Sequence, residues 1–189
     1  MINKLKGLSL LKELGLPAVR WSFMDEGTVL DEELLWTVRT VAESGTDVNL
    51  PRAVGVTAEE AREKYREFSR LPGIKAICYP YFVALMSGII DIGSDQTIIE
   101  ACERDLWNLV TYGRVDCRYI IHSREVSGLP GPFLSVYRCG RRAAVKMQGF
   151  LEQGYHLYLE WSLARDCDLN KRPVGEPYLV FYECRVLSA

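Results

Sequence analysis

HLYLEWSL at residues 156–163 and PYLVFYECRV at residues 177–186 decide how this chain is read. Both runs are apolar and aromatic, and each is broken by a glutamate, Glu160 in the first and Glu183 in the second. Residues of this kind at this density predict two strands, over 155–163 and 178–186. Side chains alternate between the faces of a strand, so Glu183 and Arg185 share one face. The two runs are close enough in sequence to pair as a hairpin, across a loop with Asp166, Asp168, Pro173, Gly175 and Pro177. Two carboxylates facing each other on adjacent strands repel unless something neutralises them. A divalent cation would do so, since Mg²⁺ is commonly held by one or two carboxylates together with phosphate oxygens. An ion pair between Glu183 and Arg185, or a solvated face for either glutamate, explains the same pattern, and the residues alone leave these readings open.

Working outward, Arg39 lies inside WTVRTV at residues 36–41, a predicted strand. A half-buried guanidinium needs an anion, which is either a phosphate or a nearby carboxylate. Lys6, beside Gly7, falls on a predicted helix where a lysine is ordinarily solvated. Arg138, Arg141 and Arg142 form a small basic cluster, an anion site or a solvated helix start. His122 and His156 have no serine or cysteine nucleophile placed beside them and read as structural. No G-x-S-x-G, Walker lysine loop or G-x-G-x-x-G occurs, so hydrolase, P-loop and Rossmann readings lack their motifs.

The chain has 189 residues, room for one well-packed domain or two small lobes sharing a core. Its hydrophobic fraction of 48% supports a buried core. With 23 basic and 25 acidic residues it lacks the basic balance of a dedicated nucleic-acid binder. The longest uncharged stretch, residues 76–90, is shorter than the ~18 residues of a membrane span and contains Pro80 and Gly88. The opening residues are amphipathic and lack a signal peptide's pattern, so a cytoplasmic protein is expected. The six cysteines include no C-x-x-C pair and there are two histidines, which disfavours structural zinc and suits a reduced chain.

Leucines at 5, 8, 11 and 14 predict a helix over residues 4–15, stopped by Gly15 and Pro17. A strand is expected over 18–24, a helical turn from Asp31, a loop over 43–52 and a short strand over 53–56. Thr57 and Glu60 form a capping-box pattern ahead of a helix that ends at Pro72-Gly73. Strands are then predicted over 74–85 and 88–92 with a turn at Ser87-Gly88, and over 97–102, 118–122 and 133–137. Helices are predicted over 105–111 and 141–153, the second stopped by Gly154. Strands mixed with blocks of helix predict an α+β fold and not a βαβ repeat.

Taken in order, these segments resemble the nucleotide-binding part of the phosphoenolpyruvate synthase and pyruvate phosphate dikinase family. KGLSLLKELGLPAVRWSFM (6–24) resembles the family's opening, and WTVRT (36–40) its V-R-S element. CYPYFVALMSGIIDI (78–92) is similar to its hinge strand, and IIEACERDLWNLVTYGRVDCRYIIH (98–122) to its I-E-A to D-R-Y-V-V stretch. LEWS (159–162) and PYLVFYECR (177–185) resemble the closing E-W-A and L-Q-x-R. The resemblance implies an ATP-grasp-like α+β fold: two small lobes with mixed or antiparallel sheets, 1–75 and 76–189, closing on Mg²⁺-ATP or AMP. By matching position it implies Lys6 and Arg39 on the phosphates, Glu160 and Glu183 facing Mg²⁺ and phosphate, and Glu100 near the nucleotide. Arg185 falls at the family's arginine, and the hinge taking the adenine edge falls at residues 78–82.

The chain departs from the family at Glu183, where glutamine is usual, at Tyr158 in place of aspartate, and at Leu5 in place of glycine. It is shorter than the family's nucleotide-binding part and carries no G-G-x-x-S-H phosphohistidine segment. Two functions follow from the resemblance. One is phosphoryl transfer from ATP to an unknown acceptor, either a small molecule or a histidine on a separate protein. The other is a non-catalytic nucleotide-binding or scaffold module. An unrelated α+β interaction protein is the third reading. The first two require Arg39, Glu160 and Glu183 to converge on one cleft.

Overall fold

A computed structural model describes residues 2–45, 50–122 and 128–188. Part of the expected 43–52 loop, residues 46–49, lies outside the described residues. Two antiparallel sheets organise the chain. The smaller has four strands in the order β1-β4-β2-β3, from β1 (Ser22–Phe23), β2 (Trp36–Ala42), β3 (Arg52–Val56) and β4 (Ile74–Pro80). The larger has five in the order β7-β6-β5-β8-β9, from β5 (Val83–Ile92), β6 (Thr97–Glu103), β7 (Cys117–Ile121), β8 (Tyr155–Cys167) and β9 (Pro173–Ser188). The chain changes sheet at Tyr81 and Phe82, a few residues after the expected lobe boundary.

α2 (Ala58–Phe68) covers one face of the small sheet, and α1 (Lys4–Glu13), α4 (Gly131–Lys146) and α5 (Gln148–Leu151) cover one face of the large sheet, while α3 (Trp107–Tyr112) buries Leu109 against Ile89 and Cys102 on the large sheet's other face. α2 starts at Thr57, whose hydroxyl accepts from the Glu60 N–H while the Glu60 carboxylate accepts from the Thr57 N–H. Its buried Ala58, Ala61 and Phe68 pack with Val38, Ala76 and Cys78 of the small sheet. α4, α5 and α1 join the large sheet's core, where Trp161, Phe181, Leu157 and Leu159 are buried. α1 buries Leu8, Leu11 and Leu14, as their three-residue spacing predicts. It sits so close to β9 that a Cβ at Gly7 would lie 2.3 Å from the Cys184 carbonyl oxygen. Beyond α1, the chain bridges in parallel to β9: Phe181 N–H donates to the Pro17 carbonyl (2.8 Å) and Val19 N–H to the Phe181 carbonyl (3.0 Å).

Three sequence expectations are corrected. Residues 133–137 are not a strand but the first turns of α4. Pro130 and Pro132 suit a helix start, and Phe133, Val136, Tyr137, Gly140, Ala143 and Ala144 recur at helical spacing and are buried. The alternating Phe133, Ser135 and Tyr137 mimic a strand over too short a window. Ser87-Gly88 is not a turn but the middle of β5. Gly88 is needed because a Cβ there would meet the Glu100 carbonyl oxygen at 2.1 Å and the Trp161 ring at 2.8 Å. The expected strand over 18–24 shrinks to β1 and the bridge at Ala18, while the short turn expected from Asp31 is present, its Leu34 N–H donating to the Asp31 carbonyl at 3.3 Å. No helix among the described residues is long and apolar enough to cross a membrane.

Candidate functional site

The β8–β9 hairpin forms as its sequence predicts, with Glu160 directly opposite Glu183. Directly opposed residues of an antiparallel ladder share a face. Across the sheet the row runs Arg118, Glu100, Ile89, Glu160, Glu183. The next row on that face is Ile98, Asp91, Tyr158, Arg185. This face is turned away from the one holding buried Leu159, Trp161 and Phe181. A bulge between the Glu160 and Trp161 pairings leaves Tyr182 as an extra residue on β9. Tyr182 and Glu183 are thereby both directed to the polar face, where the Tyr182 hydroxyl lies 3.4 Å from Ser162 Oγ.

Arg39 arrives from the other sheet. It sits mid-strand in β2 opposite Ile77, and its guanidinium donates to Glu183 Oε2 at 3.3 Å. Arg185 Nε donates to Glu183 Oε1 at 2.8 Å, and its Nη2 donates to the same oxygen. Glu183 is 4% exposed and Arg39 12%, so this ion pair is well removed from water. Burial alone would push the Glu183 carboxyl up, but Arg39 and Arg185 outweigh it and hold the group below its ordinary range. Burial would likewise lower Arg39, yet Tyr79, Glu183 and Glu160 together raise it.

Glu160 behaves differently. It makes no salt bridge and no side-chain hydrogen bond among the described residues. Burial and then the Glu183 charge push its carboxyl up to about 7, against the pull of Arg39, Arg185 and Lys4. Burial and the Glu160 charge also raise the neighbouring Tyr158 and Tyr182 phenols. A half-buried carboxyl without a cation, next to one that has two, is a place where an added cation would find a ligand.

The other expected site residues fall elsewhere. Glu100 shares the sheet face but is two strands from Glu160, about 10 Å away at ordinary strand spacing, and is paired with Arg118. Lys6 is exposed on α1, and the lysine whose charge acts on Glu160 and Glu183 is Lys4. Tyr79, Tyr158, Tyr182 and Lys4 join the cluster without having been singled out as site residues. Tyr158 was within reach, two places from Glu160 on one strand. The bulge that turns Tyr182 inward leaves no mark in the sequence.

A cavity of about 590 Å³ opens where the chain changes sheet. Leu34, Leu35, Pro80, Phe82, Leu179 and Val180 are among its walls, with Arg20 and Asp166 also present. None of Arg39, Glu160 or Glu183 lines it, so the space and the charges are neighbours and not one site. They are linked on one sheet face: Val180 is opposite Ser162, and the Phe82 ring packs 6.0 Å from that of Tyr182. One hinge donor is already used, since Tyr81 N–H donates to the Leu35 carbonyl at 2.8 Å. No group of three or more Asp, Glu, His and Cys side chains among the described residues is arranged to hold a metal ion. A metal here would therefore draw the rest of its oxygens from water or a bound ligand beside Glu160.

No protein-family model matches the chain, and no curated protein matches it. Solved structures do. The D-alanine–D-alanine ligase from Helicobacter pylori superposes with TM-score 0.52 at 10% identity, over 97% of this chain and 50% of that one. The L-amino acid ligase from Bacillus licheniformis gives TM-score 0.52 at 16% identity, over 96% of this chain and 42% of that one. The chain thus spans about half the length of these solved structures, or somewhat less. Its fold is ATP-grasp-like, an α+β arrangement of two antiparallel sheets and a few helices.

Proposed function

We propose that the chain binds a magnesium-complexed adenine nucleotide on the polar face of the larger sheet. The base takes the cavity beside Pro80 and Phe82, with apolar walls suited to a planar ring. The phosphates lie toward Arg39 and Arg185, whose forked donors suit phosphate oxygens. Glu160, and Glu183 once released from its arginines, would hold the metal. When bound, Mg²⁺ supplies charge neutralisation along the phosphates. Lys6 and Glu100, for which the resemblance implies roles on the phosphates and near the nucleotide, reach neither the central cluster nor the cavity, and this proposal does not depend on them.

The observation that carries this proposal is the convergence of Arg39 from one sheet with Glu160 and Glu183 from the other, with Glu160 left without a cation. Such a group is out of place in a purely structural ion-pair network. Transfer of a phosphoryl group from ATP to a small molecule or to a histidine of another protein is the catalytic form of the proposal. A non-catalytic nucleotide-binding or scaffold role is the second reading, favoured by Glu183 already being neutralised by two guanidiniums.

Melting temperatures with Mg²⁺ alone, Mg²⁺-ATP and Mg²⁺-AMP test the proposal. A nucleotide at about 100 times its Kd adds about 2.7 kcal/mol, a shift of several degrees. No shift with either nucleotide overturns both readings. If a shift occurs, release or transfer of label from γ-labelled ATP separates turnover from binding alone.

A further inference from the structure

We propose that Glu183 is an internal stand-in for phosphate: it occupies the seat between Arg39 and Arg185 in the ligand-free chain, and a polyphosphate takes that seat by displacing it toward the metal beside Glu160. This rests on the nucleotide reading above and adds how the site is regulated. Each oxygen of Glu183 is held by a different guanidinium, Oε2 by Arg39 of the small sheet and Oε1 by Arg185 of its own strand. A carboxylate bridging two guanidiniums is the arrangement that phosphate oxygens adopt with arginines. The seat is entered from one side, because the Arg185 side chain is 42% exposed while those of Arg39 and Glu183 are 12% and 4% exposed.

The geometry makes metal and polyphosphate depend on each other. Mg²⁺ alone finds one open carboxylate, Glu160, because both oxygens of Glu183 are engaged. A polyphosphate alone must turn Glu183 away from its arginines toward Glu160, the residue opposite it, placing two carboxylates together without a cation. Arriving together, the polyphosphate takes the guanidiniums and the metal takes the released carboxylate. Each ligand therefore strengthens the other, and by linkage the factor is the same in both directions. Because Glu183 and Arg39 belong to different sheets, the exchange also replaces a direct link between the sheets with one that passes through the ligand.

Isothermal titration of the full chain with Mg²⁺-free tripolyphosphate and with Mg²⁺-ATP, for the wild type and for Glu183→Gln, tests the proposal. The wild type should bind Mg²⁺-ATP well and metal-free tripolyphosphate weakly. Glu183→Gln, its internal anion neutralised, should bind metal-free tripolyphosphate about tenfold more tightly, with little further gain from Mg²⁺. Unchanged or weaker tripolyphosphate binding by Glu183→Gln, with the wild type still binding Mg²⁺-ATP, overturns this proposal and leaves the nucleotide reading standing. No binding of either probe by either protein overturns both. Should Glu183→Gln fail to fold, the Arg185 Nε–H resonance of the wild type gives a second reading. It should move on adding Mg²⁺-ATP and stay in place with Mg²⁺ alone, and a resonance unmoved by Mg²⁺-ATP shows that the seat never changes hands.

Discussion

The carboxyl of Glu160 is pushed up from 4.5 to about 7 in the folded chain, mainly by burial and then by Glu183. Between those values the folded state holds a proton that the unfolded state has lost. Glu160 therefore favours folding below about pH 4.5, and this contribution is lost as pH rises to about 7. Glu183 acts in the opposite sense, its contribution present above its ordinary range and lost as pH falls through its lowered value. Glu160→Gln should thus stabilise the ligand-free chain by on the order of 2 kcal/mol at pH 8 and have little effect at pH 5, as read by urea melts at both values. The same variant should lose its Mg²⁺-dependent response to nucleotide. If a metal ligates Glu160, Mg²⁺-ATP binding near pH 6.5 should release part of a proton, measurable from the binding heat in two buffers of different ionisation enthalpy. Strand alternation made the Glu160 and Glu183 pair legible, since it needs two periodic runs and a loop. It did not show that Glu183 takes two arginines while Glu160 has none, because that depends on side chains 144 residues apart in sequence.

At the scale of the element, the first helix meets the last strand through a glycine. A methyl group at Gly7 would lie 2.3 Å from a backbone oxygen of β9, which cannot yield by rotating a side chain. Gly7→Ala should cost roughly 3 kcal/mol or more in an equilibrium melt, beyond the usual penalty of overpacking, because the whole of α1 must shift. Thr57→Ala, which removes the α2 cap, should cost about 1 kcal/mol. α1, α2 and the long hairpin were readable because leucine spacing, a capping box and aromatic runs each give a local signal. α4 was read only from residue 141 onward, because Phe133, Ser135 and Tyr137 satisfy two periods at once and only the following turns decide between them. Gly88 misled for a related reason: glycine marks turns, but here it makes room for Trp161 on a neighbouring strand.

On the scale of the whole molecule, the sheets are joined by more than Arg39 and Glu183. Arg52 of β3 stacks on Trp107 of α3 (Trp107–Tyr112) at 5.0 Å, and Lys171 of the β8–β9 turn lies 5.8 Å from the Tyr81 ring. The Arg52 contact is exposed and worth about 0.5–1 kcal/mol. Trp107→Ala should leave the global melting temperature almost unchanged while speeding hydrogen exchange in β3, the strand that would lose its tether. Equal exchange rates in the variant and wild type would remove this contact from the closure. The parallel bridge from Ala18 to Phe181 has a different consequence, one of timing. A ribosome delivers the leucine face of α1 early and β9, against which it docks, more than 160 residues later. Until the final strand emerges, that helix lacks its main partner and has β2 to pack on, where Asn3 donates to the Ala42 carbonyl at 3.1 Å. The larger sheet is therefore complete only once β9 has been made and residues 17–19 can bridge to Phe181.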